Sequence, residues 1–384
     1  MRVVSALRRP CEAARARGAG RSGLGGSHPD RRRRCSILAA MTPLGPLEGV
    51  ALLGAARHLP GPPVDNTEAL RLLPGHRDAT PERLAFAAAG VERPLGLRAR
   101  HWVHRPGDAL APWAEASTAD LAVAAARAAL TDAGLRARDL GLLLATTSTP
   151  HRMTSTLSAA VGAVLGTTAP AMDVRTGCAA GLFALQTAAT YLQHAAGPVL
   201  LVAAETFSKV LPPDHKMALL SLGDGAAALV LGRRDGARLH ALALKTDGRL
   251  GGLITTDGAL PPTESERVRG GYRLSGAPEA LAEVLPEKYA EAIDAVLPAS
   301  SVAPALFVPH QTSRPLIERV AEDAGVPEER TWTAGVGDHA NIGSAGWVAA
   351  LAAARAAGRA AAGTELLVAA VGGGMSWGAA RWRC

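Results

Sequence analysis

From residue 45 onward, short apolar runs alternate with segments that carry apolar residues at helical spacing. Strands are predicted at residues 50–53, 140–146, 169–174, 198–203, 223–231, 237–244 and 305–308, and the one at 140–146 is predicted to be buried. Helices are predicted at residues 117–133, 155–165, 179–194, 278–296, 314–324 and 342–357. We expect Ser117 or Thr118 to cap the first helix, Gly134 to end it and Pro286 to break the fourth.

The alternation restarts after about residue 232. Strands that alternate with helices form sheets covered by helices on both faces, so the predicted fold class is α/β. Two stretches of similar rhythm, 43–232 and 233–384, indicate a pseudo-duplicated fold with two halves. Residues 246–276 are rich in Gly and Pro and are predicted to form surface loops. Residues 365–371 and 377–382 are predicted to close the chain as a hairpin around Gly372, Gly373 and Gly374.

Residues 1–42 lack this pattern and are predicted to form a disordered basic tail. The first 40 residues hold ten Arg against Glu12 and Asp30, whereas the other 344 residues are nearly neutral, at about −1. Because the positive charge lies outside the globular part, we expect no nucleic-acid partner. The tail has the Arg-rich, acid-poor composition of an organelle transit peptide. Met41 offers a second translation start, so we interpret the tail as a dispensable extension or as the product of an over-long gene model.

The composition is that of a globular chain, with 384 residues of which 48% are hydrophobic. No run approaches the ~18 apolar residues that a membrane helix needs, so we expect no membrane partner. The four cysteines, at positions 11, 35, 178 and 384, are scattered. Such scattering is typical of the reducing cytoplasm rather than of a disulfide framework, and the spacing predicts no metal site.

One cysteine stands at the join between a predicted strand and a predicted helix. Cys178 lies within the segment 173–181, and we expect it to cap the helix that follows. The unpaired amides and the positive dipole at a helix start stabilise a thiolate, so the pKa of this thiol is predicted to be lowered. The alternative is that Cys178, between Gly and Ala, simply packs.

Two other polar residues stand at comparable junctions. His310 follows the strand at 305–308, and Asn341 lies in a glycine-flanked turn before the helix at 342–357. Loops on a rigid scaffold often carry catalytic groups. Taken singly, each residue has a simpler interpretation, a structural histidine and a helix N-cap.

Taken together, Cys178, His310, Asn341 and the glycine-rich ending at residues 372–378 resemble the β-ketoacyl-acyl-carrier-protein synthase III family, a branch of the thiolase-like condensing enzymes. Further similar blocks are residues 96–101, 145–150 and 223–226. The resemblance covers nearly all of residues 45–384. It implies a thiolase-like, five-layered αβαβα fold made of two similar halves, and a homodimer.

The resemblance also implies an acyltransferase. The thiolate of Cys178 would take an acyl group from a thioester, and the amides of Cys178 and Gly373 would hold the oxyanion. His310 and Asn341 would donate hydrogen bonds to a malonyl thioester as it loses carbon dioxide, so that condensation would serve fatty acid or polyketide biosynthesis. No cofactor is implied, because the acyl donor would be carried on acyl carrier protein or coenzyme A.

Three residues are placed near the substrate pocket by the resemblance: Met153, Ser313 and Met375. Met153 stands where the family has an acyl-pocket side chain that crosses to the partner subunit, although simple packing is its alternative. Ser313 replaces the Asn of the family's His-Gln-Ala-Asn motif.

Two departures leave the fate of the acyl group open. The motif at His310 is altered, and residues 82–95 lack the Trp that stacks on coenzyme A in housekeeping members. The chain is therefore similar to members that serve specialised metabolism. Condensation is the reaction we favour, and transfer of the acyl group to a hydroxyl or amine is the alternative. A non-catalytic partner subunit is disfavoured, because such subunits lack the nucleophile that Cys178 provides.

Overall fold

The strands and helices predicted from residue 45 onward build one mixed sheet of eight strands with helices on both faces. A computed structural model describes residues 41–109, 111, 114–256, 263–268, 273–298 and 303–384. The predicted basic tail therefore lies outside the described residues, apart from its last two positions. No helix of the described residues is long and apolar enough to cross a membrane.

The strands are, in chain order, β1 (Leu47–His58), β2 (Val64–Asp65), β3 (Ala99–Arg100), β4 (Leu142–Thr146), β5 (Ala171–Asp173), β6 (Val199–Thr206), β7 (Asp224–Thr246), β8 (Ile254–Thr256), β9 (Leu274–Gly276), β10 (Leu306–Pro309), β11 (Glu365–Gly372) and β12 (Ser376–Arg383). The main sheet has the order β10-β11-β12-β7-β6-β4-β5, and β1 also pairs with β7. Strand β5 therefore forms one edge of the sheet.

The helices are α1 (Asn66–Leu70), α2 (Pro81–Leu95), α3 (Thr118–Asp132), α4 (Leu157–Leu165), α5 (Ala180–His194), α6 (Lys216–Ser221), α7 (Glu264–Val268), α8 (Pro278–Val296), α9 (Arg314–Asp323), α10 (Ala334–His339) and α11 (Gly346–Ala356). Ser117 caps α3 as predicted, since its side chain accepts from the amide of Asp120 and the Asp120 carboxylate accepts from the amide of Ser117. Such a reciprocal pair satisfies two amides that the helix itself leaves unpaired.

The two halves share a single long strand. Two strands were predicted at 223–231 and 237–244, but β7 runs unbroken over 23 residues. Its first part pairs with β6 and its last part with β12, in both cases antiparallel. The prediction of two strands was wrong because the exposed residues 233–236 continue the strand through an irregularity, where the pairing with β1 shifts register between Glu48 and Val50.

The alternation of side chains along each strand produces five layers. On β6, Leu200 and Val202 pack in the cluster that contains α3 and α4, whereas Val199 and Leu201 face α5 and α11. On β11, the odd-numbered Leu367 packs with α8 and α9, and its even-numbered neighbours pack with α5 and α11. Helices α5 and α11 thus lie between two parts of the sheet, which gives the order αβαβα.

Two further expectations about elements were wrong. Helix α8 is not broken at Pro286, because the turns beyond this proline bury Tyr289, Ala292 and Ile293 and keep the helix in place. Residues 246–276 were predicted to be loops, but β8 and β9 pair there as a small antiparallel sheet. The predicted closing hairpin is confirmed by the antiparallel pairing of β11 with β12.

The two central helices touch at a glycine, and this contact generates a testable prediction. A methyl group added at Gly181 of α5 would lie 2.6 Å from the indole nitrogen of Trp347 on α11. We expect Gly181→Ala to lower the free energy of unfolding by about 1–3 kcal/mol, because a filled core resists extra volume. Urea unfolding followed by circular dichroism measures the change.

The matched control is Gly90→Ala, in the exposed part of α2, where an added methyl group meets nothing within 4 Å. Since alanine favours a helix over glycine by up to about 1 kcal/mol, this variant should unfold at an equal or higher urea concentration. Equal losses in both variants would contradict the proposed packing at Gly181.

Candidate active site

Cys178 lies in the tight corner between β5 and α5. Helix α5 begins at Ala180 and its N-cap is Ala179, so the prediction that Cys178 caps the helix was wrong by one position. The corner depends on Gly177, whose φ of +60° is in the left-handed region. A methyl group there would lie 2.6 Å from the carbonyl oxygen of Gly373. Glycine is required at this corner by its backbone conformation and by the approach of the opposite loop.

The glycine-rich turn between β11 and β12 presses against Cys178 from the other half of the chain. A methyl group added at Gly372 would overlap the amide nitrogen of Cys178. The backbone amides of Cys178 and Gly373 both favour the thiolate and so act to lower the pKa of Cys178. Two backbone N–H groups therefore lie beside the thiol, where they could donate to an oxygen that develops charge next to the sulfur.

Burial nevertheless raises the pKa of the Cys178 thiol to about 12, and the nearby negative charge of Glu205 contributes to the rise. The residue Cys178 is partly exposed, whereas its thiol group is buried. The expectation of a lowered pKa was wrong, because desolvation opposes the charged form more strongly than the amides favour it. In the free protein the sulfur is a neutral thiol at neutral pH.

His310 directly follows β10 and is almost completely buried, with 1% of its surface exposed. Its amide donates to the carbonyl of Ala369 at 2.8 Å, and its ring packs so closely on Gly346 that a methyl group there would overlap Nδ1. Neither ring nitrogen has a hydrogen-bond partner among the described residues. Burial, followed by the effect of His339, lowers the pKa of His310 to about 4. The imidazole is neutral at pH 7 and has one N–H to donate.

Asn341 lies in the turn between α10 and α11. Its amide donates to the carbonyl of Ser221 at 2.9 Å, and its carbonyl accepts from the amide of Gly223 at 3.0 Å. The side-chain oxygen accepts from the amide of Gly343 at 2.8 Å. This bond partly bears out the helix-capping interpretation, because the side chain does bind an amide at the start of the next helical turn. The side-chain NH₂ is left as the donor for a ligand.

The backbone just before Asn341 is strained. Ala340 has φ +55°, a conformation that L-residues rarely adopt. The ring nitrogen Nδ1 of His339 donates to the carbonyl of Ala340 at 2.8 Å. Strain of this kind persists where surrounding contacts over-determine the conformation, and it is concentrated at functional sites.

A cleft of about 870 Å³ opens beside Asn341. Its walls include Leu222, Leu253, Ile254 and Leu274, and its outer part includes the exposed residue Arg273. Part of the lining comes from residues 246–276, the stretch that the sequence placed in surface loops, and an equal part comes from residues 212–222. The cleft is therefore lined mainly by apolar side chains and carries exposed charges of both signs, among them Asp214 and Arg273.

Contacts through shared neighbours connect the three predicted groups. Gly373 lies on the thiol of Cys178 and also near Ile254, which lines the cleft with Asn341. Gly346, against which His310 packs, precedes Trp347, and the indole of Trp347 contacts Gly181, three residues after Cys178. A few shared contacts thus connect residues that are more than a hundred positions apart in the chain.

The three predicted pocket residues lie in different surroundings. Met153 is 70% exposed, whereas Met375 is fully buried in the core beneath α8 and α9. Ser313 is half-buried at the start of α9 and makes no capping hydrogen bond there. Their roles in binding an acyl group stay predictions.

Sequence reasoning missed Glu205, near the end of β6. It is fully buried, and its charge acts on the thiol of Cys178. The signal for it was present in the sequence, because an acidic residue follows directly on the apolar run 199–204. Buried carboxylates are rare and need hydrogen-bond donors around them, so this residue was a candidate.

Comparison with known proteins gives consistent relatives. The family described as 3-oxoacyl-[acyl-carrier-protein (ACP)] synthase III matches residues 172–248, and its C-terminal part matches residues 302–384. Beta-ketoacyl-[acyl-carrier-protein] synthase III of Rhodobacter capsulatus is 34% identical over 342 residues, which cover 86% of this chain and 98% of the relative.

Solved structures agree in fold. 3-Oxoacyl-[acyl-carrier-protein] synthase III from Aquifex aeolicus VF5 superposes with a TM-score of 0.74 at 24% identity, over 88% of this chain and 100% of that one. The priming β-ketosynthase of the R1128 polyketide biosynthetic pathway superposes with a TM-score of 0.75 at 24% identity, over 88% of this chain and 97% of that one. These likenesses confirm the thiolase-like fold.

The raised pKa of Cys178 predicts how its alkylation depends on pH. Only the thiolate reacts, and below the pKa its fraction rises about tenfold for each pH unit. We expect the rate of carbamidomethylation at Cys178 by iodoacetamide to keep rising up to pH 10, whereas that of a cysteine in a short unstructured peptide levels off above its ordinary pKa of about 8.5. Peptide mass spectrometry measures the Cys178 rate. A plateau at or below pH 8.5 would show that the thiol is not desolvated as described.

Proposed function

The chain belongs to the 3-oxoacyl-[acyl-carrier-protein] synthase III family, and from this membership we propose the reaction that its site performs. It is an acyltransferase of the decarboxylating, condensing kind that acts in fatty acid or polyketide synthesis. The assignment of steps to residues rests on one observation above all, the close backbone contact of Gly177 and Cys178 with Gly372 and Gly373, which sets a second amide beside the thiol.

In the first half-reaction, the sulfur of Cys178 attacks the carbonyl carbon of an acyl thioester. The negative charge that develops on the carbonyl oxygen is held by the amides of Cys178 and Gly373. Collapse of this intermediate breaks the bond to the carrier sulfur, and the carrier leaves as a thiol with the proton that Cys178 gives up. The product is an acyl group on Cys178.

In the second half-reaction, a malonyl thioester loses carbon dioxide and the electron pair moves into an enolate. His310 and Asn341 donate hydrogen bonds to the thioester oxygen, where the charge develops. A neutral imidazole supports this role, because the lowered pKa of His310 leaves one N–H without adding a buried charge. The enolate carbon then attacks the acyl group on Cys178, giving a 3-oxoacyl thioester and the free thiolate. The reaction needs no cofactor beyond the carriers of the two thioesters.

The thioesters are proposed to enter through the cleft beside Asn341. Its apolar walls suit the pantetheine arm, and its charged outer part suits a carrier at the surface. Helix α2 covers the region where the adenine-stacking Trp of other members is missing. We therefore propose that acyl carrier protein, rather than coenzyme A, carries the acyl donor. We also propose that the protein acts in the cytoplasm, where a thiol such as that of Cys178 stays reduced.

A homodimer is part of the proposal. Strand β5 is an edge strand, and its Met172 is 44% exposed. Met153, which precedes this strand in the chain, is 70% exposed. An unpaired strand edge is a template for pairing with another chain, and exposed apolar side chains beside it favour such a contact, so a second copy of the chain would cover both. Met153 of one subunit would then reach towards the acyl pocket of the other.

The two half-reactions can be tested separately. Intact mass after incubation with a panel of acyl thioesters measures loading, and carbon dioxide release from malonyl-carrier protein measures condensation. We expect Cys178→Ala to abolish loading. His310→Ala and Asn341→Ala should load normally but condense about 10²- to 10³-fold more slowly, the usual loss for one donor to a developing oxyanion.

Three results would contradict the proposal. Loading that survives Cys178→Ala would refute the acyl-enzyme. If His310→Ala or Asn341→Ala condenses at the rate of the parent protein, the role proposed for that residue is refuted. Acyl transfer to a hydroxyl or amine without release of carbon dioxide would replace condensation by simple transfer.

The dimer proposal predicts that Met172→Asp yields monomers, because a charge at an unpaired edge strand cannot be buried in an interface. Phe86→Asp on α2 is the control, since Phe86 is 83% exposed but lies away from β5. Sedimentation equilibrium distinguishes the states. A monomeric parent protein, or a dimeric Met172→Asp variant, would show that β5 is not the interface.

A further inference from the structure

Glu205 is a fully buried carboxylate near the carboxyl end of β6, and the proposed reaction does not use it. No basic side chain pairs with it among the described residues, so the cost of burying its charge is met by hydrogen bonds alone. The identity of the donors therefore indicates what the residue is for.

The donors come from both halves of the chain. After β4, Ser148 donates its amide at 2.9 Å, and Thr149 donates its amide at 3.1 Å and its hydroxyl at 2.8 Å. From the other half, Ser344 donates its hydroxyl at 2.6 Å and its amide at 3.2 Å. Burial raises the pKa of Glu205, whereas these donors act to lower it. Three of the donors are backbone amides, which can only donate, so an ionised carboxylate is the form of Glu205 that satisfies them all.

Ser344 lies in the turn between α10 and α11 that also carries Asn341, and we call this turn the Ser344 turn. Gly343, next to Ser344, donates its amide to the side-chain oxygen of Asn341 at 2.8 Å. A methyl group on Gly343 would lie 3.1 Å from Cγ of Glu205, so the two residues are also in direct contact. Two residues beyond Ser344, Gly346 forms the surface on which His310 packs. One carboxylate thus holds the backbone that orients both groups.

We propose that Glu205 is a positioning residue for the decarboxylating half-reaction, which holds the Ser344 turn so that Asn341 and His310 face the malonyl thioester. This inference rests on the proposed function. It separates the two half-reactions, because loading depends on Cys178 and the glycine turn and needs neither Asn341 nor His310. Asp and Glu differ in reach, so the length of this side chain matters as well as its charge.

The test compares Glu205→Gln with the parent protein. In Gln, an NH₂ group replaces one acceptor and faces backbone donors, so the turn must shift. We expect condensation with malonyl-carrier protein to fall about 10- to 100-fold in kcat, since displacements near 1 Å cost this much. The KM for malonyl-carrier protein should stay within about threefold. The rate of acyl loading should not fall, because removing the charge of Glu205 makes the Cys178 thiol more acidic. Glu205→Asp, which keeps the charge, should recover part of the condensation rate.

The matched control is Asp224→Asn. Asp224 is another fully buried carboxylate, bound by the amide of Ser208 at 2.8 Å and that of Val103 at 2.7 Å, and it makes no contact with the Ser344 turn among the described hydrogen bonds. Loss of the Asp224 charge should lower the rates of loading and of condensation by a similar factor, when both rates are expressed per molecule of folded protein. The same parallel loss in Glu205→Gln, or an unchanged condensation rate, would overturn the positioning role.

A crystallographic comparison decides the matter without activity. The bond from the Gly343 amide to the Asn341 side chain should be present in the parent protein and in Asp224→Asn and be broken in Glu205→Gln. If it is kept in Glu205→Gln, the proposal is wrong. If the parent protein loads but releases no carbon dioxide, the proposed function fails, while this bond still tests whether Glu205 positions Asn341.

Discussion

The site depends on the contact between two stretches of backbone from opposite halves of the chain. Gly177 and Cys178 meet Gly372 and Gly373 so closely that no side chain fits on Gly177 or Gly372. This contact brings a second amide to the sulfur of Cys178. It is possible because β11 and β12 belong to the same sheet as β5, through the long strand β7. The five-layered fold therefore brings the glycine-rich turn between β11 and β12 to the corner between β5 and α5.

Burial has opposite effects on the two titratable groups of the site. It raises the pKa of the Cys178 thiol and lowers that of His310, so both groups are neutral in the resting protein. A neutral pair avoids two uncompensated charges in a dry environment. Charge then appears only during the reaction, on a substrate oxygen or on the sulfur, at places where backbone or side-chain donors already point. Such pre-arranged donors do not reorganise as the charge develops.

The carboxylate of Glu205 lies behind the reacting groups. Its donors belong to the segment after β4 and to the turn after Asn341, so it joins the two halves just where their residues must act together. Its charge also opposes ionisation of Cys178. The same residue thus stabilises the geometry of one half-reaction and makes the free thiol less acidic.

Most of the element order could be predicted from the amino-acid sequence, because apolar periodicity and helix caps are local signals. Cys178, His310 and Asn341 could also be found in this way, since each stands at the end of a recognisable element. Three features emerged only from the folded chain: the continuity of β7, the passage of α8 through Pro286, and the cleft that residues 246–276 line in part. The direction of the Cys178 pKa and the surroundings of Glu205 did so as well. These properties depend on burial by segments far away in the chain, and no local pattern records which distant residues will exclude water.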